Sequence, residues 1–158
     1  MIIGVLSDTH SLALSVKLLE ALKEADLIIH AGDLCDQGVL TVLKKIAPVK
    51  AVQGNMDDSL LKRKLPLKEF FKVEGVQIGV YHGHGQIRDA LANAQAQFKD
   101  MPVDIVIFGH SHQPFNQKIG ATLFFNPGSP NDAVRAPYFS CGKIVLDKGK
   151  IKADIVRV

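Results

Sequence analysis

The chain has 158 residues, 47% of them hydrophobic, enough for one well-buried core and too few for two ordinary domains, so residues 1–158 are expected to form a single domain. A formal net charge of +3, with one dense basic run at Lys62-Arg63-Lys64 that reads as a solvated loop, gives no support to a nucleic-acid partner. Two cysteines, Cys35 and Cys141, exclude a disulfide framework, and no apolar run approaches the roughly 20 residues of a membrane helix, so a soluble cytoplasmic protein is expected.

Residues 2–7 read as a buried strand rather than a signal peptide, because no basic segment precedes the apolar run. Ser11 to Ala25 follows on a helical period, with Leu12, Val16, Leu19 and Leu22 as the apolar positions and Ser11 as N-cap. Leu27 to His30 is the next strand, Gly38 to Ile46 the next helix and Val49 to Val52 a third strand. This alternation predicts a parallel sheet covered by helices.

Asp57 to Pro66 reads as an irregular loop, and Glu69 to Glu74 with Val76 to Tyr81 as a hairpin about Gly75. Ile87 to Lys99 is alanine-rich and helical, and Val103 to Phe108 is a buried strand. The remainder reads as strands at Gln113 to Ile119, Thr122 to Phe125, Phe139 to Asp147 and Lys150 to Val158, the last two joined by Lys148-Gly149. The expected fold class is α/β, two packed β-sheets flanked by helices.

Five of the six histidines fall in three clusters, Asp8-Thr9-His10, His82-Gly83-His84 and His110-Ser111-His112, each directly after an apolar run. Gly32-Asp33 and Gly54-Asn55 stand in the same relation to theirs. Asp8, Asp33, Asn55, His82 and His110 recur every 22 to 28 residues, about one structural unit, so each strand can deliver one group to a shared sheet edge. Oxygen and imidazole donors together suit zinc, manganese or iron. Some neighbours keep two readings. His30 is a core histidine or a support to a ligand, Cys35 is buried filler or a ligand, and Gly128 is a turn residue or a donor of anion-facing amides.

The ordered set Asp8-x-His10, Gly32-Asp33, Gly54-Asn55, His82-Gly-His84 and Gly109-His110-Ser-His112, followed by Asn126-Pro127-Gly128-Ser129, resembles the calcineurin-like metallophosphoesterase superfamily. It is most similar to the superfamily's small bacterial and archaeal single-domain phosphodiesterase branch. The resemblance implies a metallophosphoesterase-like α/β sandwich. It implies that Asp8, His10 and His112 hold one metal, that Asn55, His82 and His110 hold a second, and that Asp33 bridges them. The expected cofactors are two divalent ions, manganese first, with zinc, iron, nickel or cobalt as options.

Two divalent ions bring four positive charges, which Asp8 and Asp33 halve, leaving a site that favours a bridging hydroxide and an anionic phosphate oxygen. Asn55, a neutral ligand, preserves that charge and is a candidate catalytic residue with His84, which can contact phosphate, protonate the leaving oxygen or stabilise its turn. Arg135 can neutralise phosphate or pair on the surface. Where many superfamily members carry a histidine after the asparagine, and the small branch often a cysteine, this chain has Met56, which donates no proton. The expected function is therefore phosphodiester hydrolysis with a metal-bound hydroxide nucleophile. The alternative is a protein-interaction scaffold like the retromer subunit of the same fold, with homo-oligomerisation left open.

Overall fold

The computed structural model describes residues 1–10 and 13–158. Its strands are β1 (Ile2–Leu6), β2 (Leu27–His30), β3 (Val49–Ala51), β4 (Lys68–Val73), β5 (Val76–Tyr81), β6 (Ile105–Ile107), β7 (Phe115–Ile119), β8 (Thr122–Asn126), β9 (Ser140–Asp147) and β10 (Lys150–Arg157). The helices are α1 (Val16–Leu22), α2 (Gln37–Leu43), α3 (Ser59–Lys64) and α4 (Ala90–Phe98).

The strands form two mixed five-stranded sheets, in the orders β10-β9-β1-β2-β3 and β4-β5-β6-β8-β7. Parallel pairing joins β1 to β2 and β2 to β3, as strand-helix alternation requires, and β5 to β6 and β6 to β8 in the second sheet. Alternation along each strand sends one set of side chains inward: Ile3, Val5 and Ile29 from the first sheet pack with Ile78, Val80, Ile107 and Phe125 from the second. The opposite face of the first sheet, Leu6 and Ile28, is covered by Leu18, Leu22, Val39, Leu43 and Leu61 of the first three helices. Ala90, Ala94 and Phe98 of α4 cover Tyr81, Val106 and Phe108. The result is helices, sheet, sheet, helix, the expected α/β arrangement.

Two expectations change in the helices. The first helix begins at Val16, capped by Ser15, whose hydroxyl accepts from the Leu18 amide at 3.1 Å; Ser11 and Leu12 lie outside the described residues. Its buried face is Leu18 and Leu22, while Val16 is 79% exposed. In a seven-residue helix only one such pair can face the sheet, and both alignments fit a 3.6-residue period.

The second change is α3, in a segment expected to be an irregular loop. Asp58 caps it by accepting from the amides of Leu60 and Leu61, and Leu61 is its one buried residue, too little to register as periodicity. Lys62, Arg63 and Lys64 thus form the last turn of a helix, where cations oppose the negative end of its dipole. Among the described residues, no helix is long and apolar enough to cross a membrane.

Candidate metal centre

The loops leaving β1, β2, β5 and β6 are tied together by their backbones. The Asp8 amide donates to Gly32 O at 3.0 Å, His10 N to Asp33 O at 3.1 Å, and Gly109 N to His82 O at 2.9 Å. These ties hold an unusual conformation. Of the eight non-glycine residues with positive φ among those described, five are Asp8, His10, Asp33, His110 and His112. Such a backbone costs about 1–3 kcal/mol per residue and persists only where its surroundings over-determine it. The loop after β3 approaches just as closely: a Cβ on Gly54 would lie 2.1 Å from Asp33 Oδ1, so only glycine fits.

Asp8, Asp33, His82 and His112 are buried. Asp8 Oδ2 accepts from the His110 amide at 3.0 Å, but Asp8 Oδ1 has no hydrogen-bond partner. His112 Nε2 lies 3.1 Å from that oxygen but off the direction of a hydrogen bond, and His82 Nε2 and His10 Nε2 stand at 3.9 and 4.0 Å. His10 Nε2 and His112 Nε2 are themselves 3.3 Å apart. A buried carboxylate oxygen without a donor, ringed by imidazole nitrogens, is a donor set suited to a cation.

The outward nitrogens set the tautomers. His82 Nδ1 faces the Ala31 carbonyl at 2.7 Å, which can only accept, so Nδ1 carries a proton and Nε2 is the nitrogen left to face a cation. That Nε2 is 3.1 Å from Asn55 Oδ1 and 3.3 Å from Asp33 Oδ2. His112 Nδ1 likewise donates to Asp132 Oδ2. The ligating atoms of Asp8, His10 and His112 lie within 4.8 Å of one another, as do those of Asp8, Asp33 and His82. Asp8 is common to both groups, and Asp33 joins it in the second. The His110 ring stands edge-on to His82 with centroids 5.2 Å apart.

The electrostatics match a cation-binding field. Burial opposes the charge of Asp8, yet His112 and His82 outweigh it and lower its pKa; Asp33 is held at about 2, where His82 and the Met56 amide outweigh burial. Burial also opposes protonation of His82 and His112, but Asp33 and Asp8 prevail for the first, and Asp8 and Asp132 for the second, raising both. His84 and His110 move down, through burial first and the neighbouring His82 second.

A cleft of about 610 Å³ opens over the cluster, lined by His10, Asp33, Asn55, Met56, His110, His112, Asp132, Val134 and Arg135. His84 is not on this lining; its ring stacks on Tyr81, whose hydroxyl donates to the His84 carbonyl, and its Nδ1 is buried without a partner. His30 is fully buried with Nε2 at 3.1 Å from Thr9 Oγ1, and burial lowers its pKa to about 3. Cys35 Sγ lies 3.5 Å from His10 Nδ1, and burial with nearby Asp33 pushes the thiol up to about 11, so it stands behind a ligand as a neutral group. At Gly128 a Cβ would meet Ser140 Oγ at 2.3 Å and φ is +78°, the geometry of a turn residue.

Two carboxylates escaped the sequence reading. Asp57, buried, accepts from the amides of Cys35 and Gly54, each at 2.7 Å, and staples the loop after β2 to the loop after β3. Asp132 reaches His112 from the loop after Asn-Pro-Gly-Ser; its only sequence signal is its place three residues after Ser129, whose hydroxyl accepts its amide.

Residues 1–147 match the calcineurin-like phosphoesterase superfamily domain. A protein of Methanocaldococcus jannaschii described as a probable metallophosphoesterase is 37% identical over 163 residues, covering 100% of this chain and 82% of its own length. A phosphodiesterase of the same organism is 29% identical over 141 residues, covering 81% of this chain and 83% of that protein. Among solved structures, Vps29 of Entamoeba histolytica complexed with Zn²⁺ superposes with a TM-score of 0.77 at 27% identity, covering 99% of each chain. The ligand-bearing loops lie within the matched span, and on this ground the chain belongs to the calcineurin-like phosphoesterase superfamily.

Proposed function

We propose that residues 1–158 act as one domain that hydrolyses phosphodiesters with two divalent metal ions, manganese first among the candidates. The observation that carries the reading is the buried Asp8 Oδ1 without a hydrogen-bond donor, ringed by imidazole nitrogens beneath an open cleft. In this reading Asp8, His10 and His112 hold one ion, Asn55, His82 and His110 the other, and Asp33 is shared. Divalent ions supply Lewis acidity to a phosphoryl oxygen and acidify a coordinated water.

The chain's own residues do the rest. Asn55 contributes an uncharged oxygen, so the positive field that attracts phosphate is not cancelled. The Ala31 carbonyl and the Asp132 carboxylate keep His82 and His112 in the tautomer that turns Nε2 inward. His84, beside His82 with ring centroids 5.4 Å apart, is the candidate proton donor or phosphate contact. Similarity to a phosphodiesterase supports the diester preference, and the absence of a membrane-crossing helix among the described residues is consistent with action in the cytoplasm.

The test is metal content of the protein purified without chelator, followed by turnover of bis(p-nitrophenyl) phosphate and p-nitrophenyl phosphate with manganese. Manganese-dependent turnover that favours the diester is expected. Metal binding without turnover of any phosphoester would favour the scaffold reading, which the likeness to Vps29 keeps in view.

A further inference from the structure

Asp132 uses both carboxylate oxygens, and they face in different directions. Oδ2 accepts from His112 Nδ1, on the side of that ring away from Asp8 and His10. Oδ1 accepts from the amides of Val134 at 2.7 Å and Arg135 at 3.0 Å, an Asx turn that folds the loop back over the cleft. The Arg135 carbonyl is taken by the Gln113 side chain, so both sides of this residue's backbone are pinned. Its guanidinium has no carboxylate partner among the described residues, and the residue lines the cleft. A fixed backbone with a free, always-charged fork at the mouth of a phosphoester site is an arrangement for gripping a phosphate oxygen.

We propose that Asp132 is a positioning residue with two duties: one oxygen orients His112 toward a metal ion, and the other shapes the turn that sets Arg135 on the rim as a contact for substrate phosphate. The inference rests on the phosphoesterase reading for the identity of the anion but not for the metal. A single carboxylate thereby links one metal-ligand candidate to the substrate-facing loop, although no part of Asp132 need touch either ion or substrate.

The two duties separate by substitution. In Asp132→Asn the amide oxygen can still accept from Val134 and Arg135, which leaves the NH₂ facing His112. Nδ1 must then accept, the ring proton moves to Nε2, and the inward lone pair is lost. Asp132→Ala removes both functions, and Arg135→Gln removes only the guanidinium.

Manganese affinity, measured by competition with a fluorescent chelator, and inorganic phosphate affinity of the manganese-saturated protein are read independently of turnover. For Asp132→Asn we expect manganese to bind about 10–100-fold more weakly and phosphate to stay within about twofold at saturating metal. Arg135→Gln should leave manganese within about twofold and weaken phosphate roughly tenfold. Asp132→Ala should lose on both counts; if it does not fold, Asp132→Asn still decides the first duty and Arg135→Gln decides whether the turn has a phosphate contact to position. Wild-type manganese affinity in Asp132→Asn, or wild-type phosphate affinity in Arg135→Gln, overturns the corresponding duty, and a wild-type chain that holds no manganese overturns the first. Normal metal and phosphate binding with no hydrolysis of any phosphoester would instead sink the enzymatic reading while leaving the role of Asp132 in place.

Discussion

The imidazoles of His10 and His112 face each other nitrogen to nitrogen at 3.3 Å, although 102 residues separate them. With the His112 proton committed to Asp132, the two inward nitrogens and Asp8 Oδ1 share a small space that only a proton or a cation can relieve. Divalent metal is therefore expected to raise the thermal midpoint. At a hundredfold excess over Kd the gain is about 2.7 kcal/mol, or roughly 5–10 °C for a domain of this size. Calorimetry with manganese and then with chelator checks it, and an unmoved midpoint would contradict a metal at this cluster.

Asp33→Asn removes the charge of a residue that stands 3.3 Å from His82 Nε2 and is held in place by the Met56 amide at 2.7 Å. Metal stoichiometry should fall, and hydrolysis should drop by more than the roughly 100-fold typical of residues that only support a ligand. Elemental analysis alongside turnover is the check; two tightly held ions with normal rates would remove Asp33 from the shared position.

Gly54→Ala should reach the same carboxylate from the backbone side. Its Cβ would fall 2.1 Å from Asp33 Oδ1 and 2.4 Å from Asp33 N, so a loop must shift. A stability loss of about 1–3 kcal/mol with weakened metal binding is expected. Denaturant midpoints and manganese affinity measure it, and unchanged values of both would show that the loops after β2 and β3 are not rigidly matched.

The candidate ligands were legible because each is announced locally: a buried strand, then glycine or a short polar turn, then Asp, Asn or His. The parallel part of the first sheet, β1 to β3 with helices between, follows from the same alternation, whereas the antiparallel β9 and β10 that complete it come from the far end of the chain. What stayed hidden depends on contacts that cross the fold. Asp132 gains its meaning from His112, 20 residues away, and Asp57 from Cys35, 22 residues away. Helix α3 hid for another reason: with Leu61 its only buried residue, the Asp58 cap was its strongest signal. In the first helix the expected Leu22 is buried, but Leu18 rather than Val16 is its partner one turn earlier, because a 3.6-residue spacing fits either.

His30 makes the fold sensitive to acid. Burial lowers its pKa to about 3 from an ordinary 6.5, so the folded protein keeps it neutral while the unfolded chain binds a proton below pH 6.5. Its contribution to stability is complete above pH 6.5 and is lost as pH falls from there toward about 3. In chelator, to exclude metal release, His30→Gln should remove a slope of about 1.4 kcal/mol per pH unit from the stability profile below 6.5. Urea midpoints between pH 7 and 5 measure that slope, and parallel profiles for wild type and variant would show that His30 does not set it.

In the proposed hydrolysis the leaving oxygen needs a proton, and Met56 narrows its sources. Met56 lies on the cleft lining and is 61% exposed, but its thioether donates no proton, which leaves His84 or a metal-coordinated water as the acid. Burial first, and His82 and His110 after it, lower the His84 pKa, so the ring is mostly neutral at pH 7 and its acid form grows as pH falls. If His84 is the acid, His84→Asn should slow substrates with alkoxide leaving groups far more than those losing nitrophenolate. General acid catalysis contributes roughly 10²–10⁴-fold, most where the departing oxygen is most basic. The difference between the two substrate classes should widen in the wild type as pH falls and disappear in the variant. A phosphate-binding role would instead slow both classes alike at every pH. Measured kcat/KM for the two classes in wild type and His84→Asn separates the cases: equal losses would eliminate His84 as the acid and leave the coordinated water as the proton source.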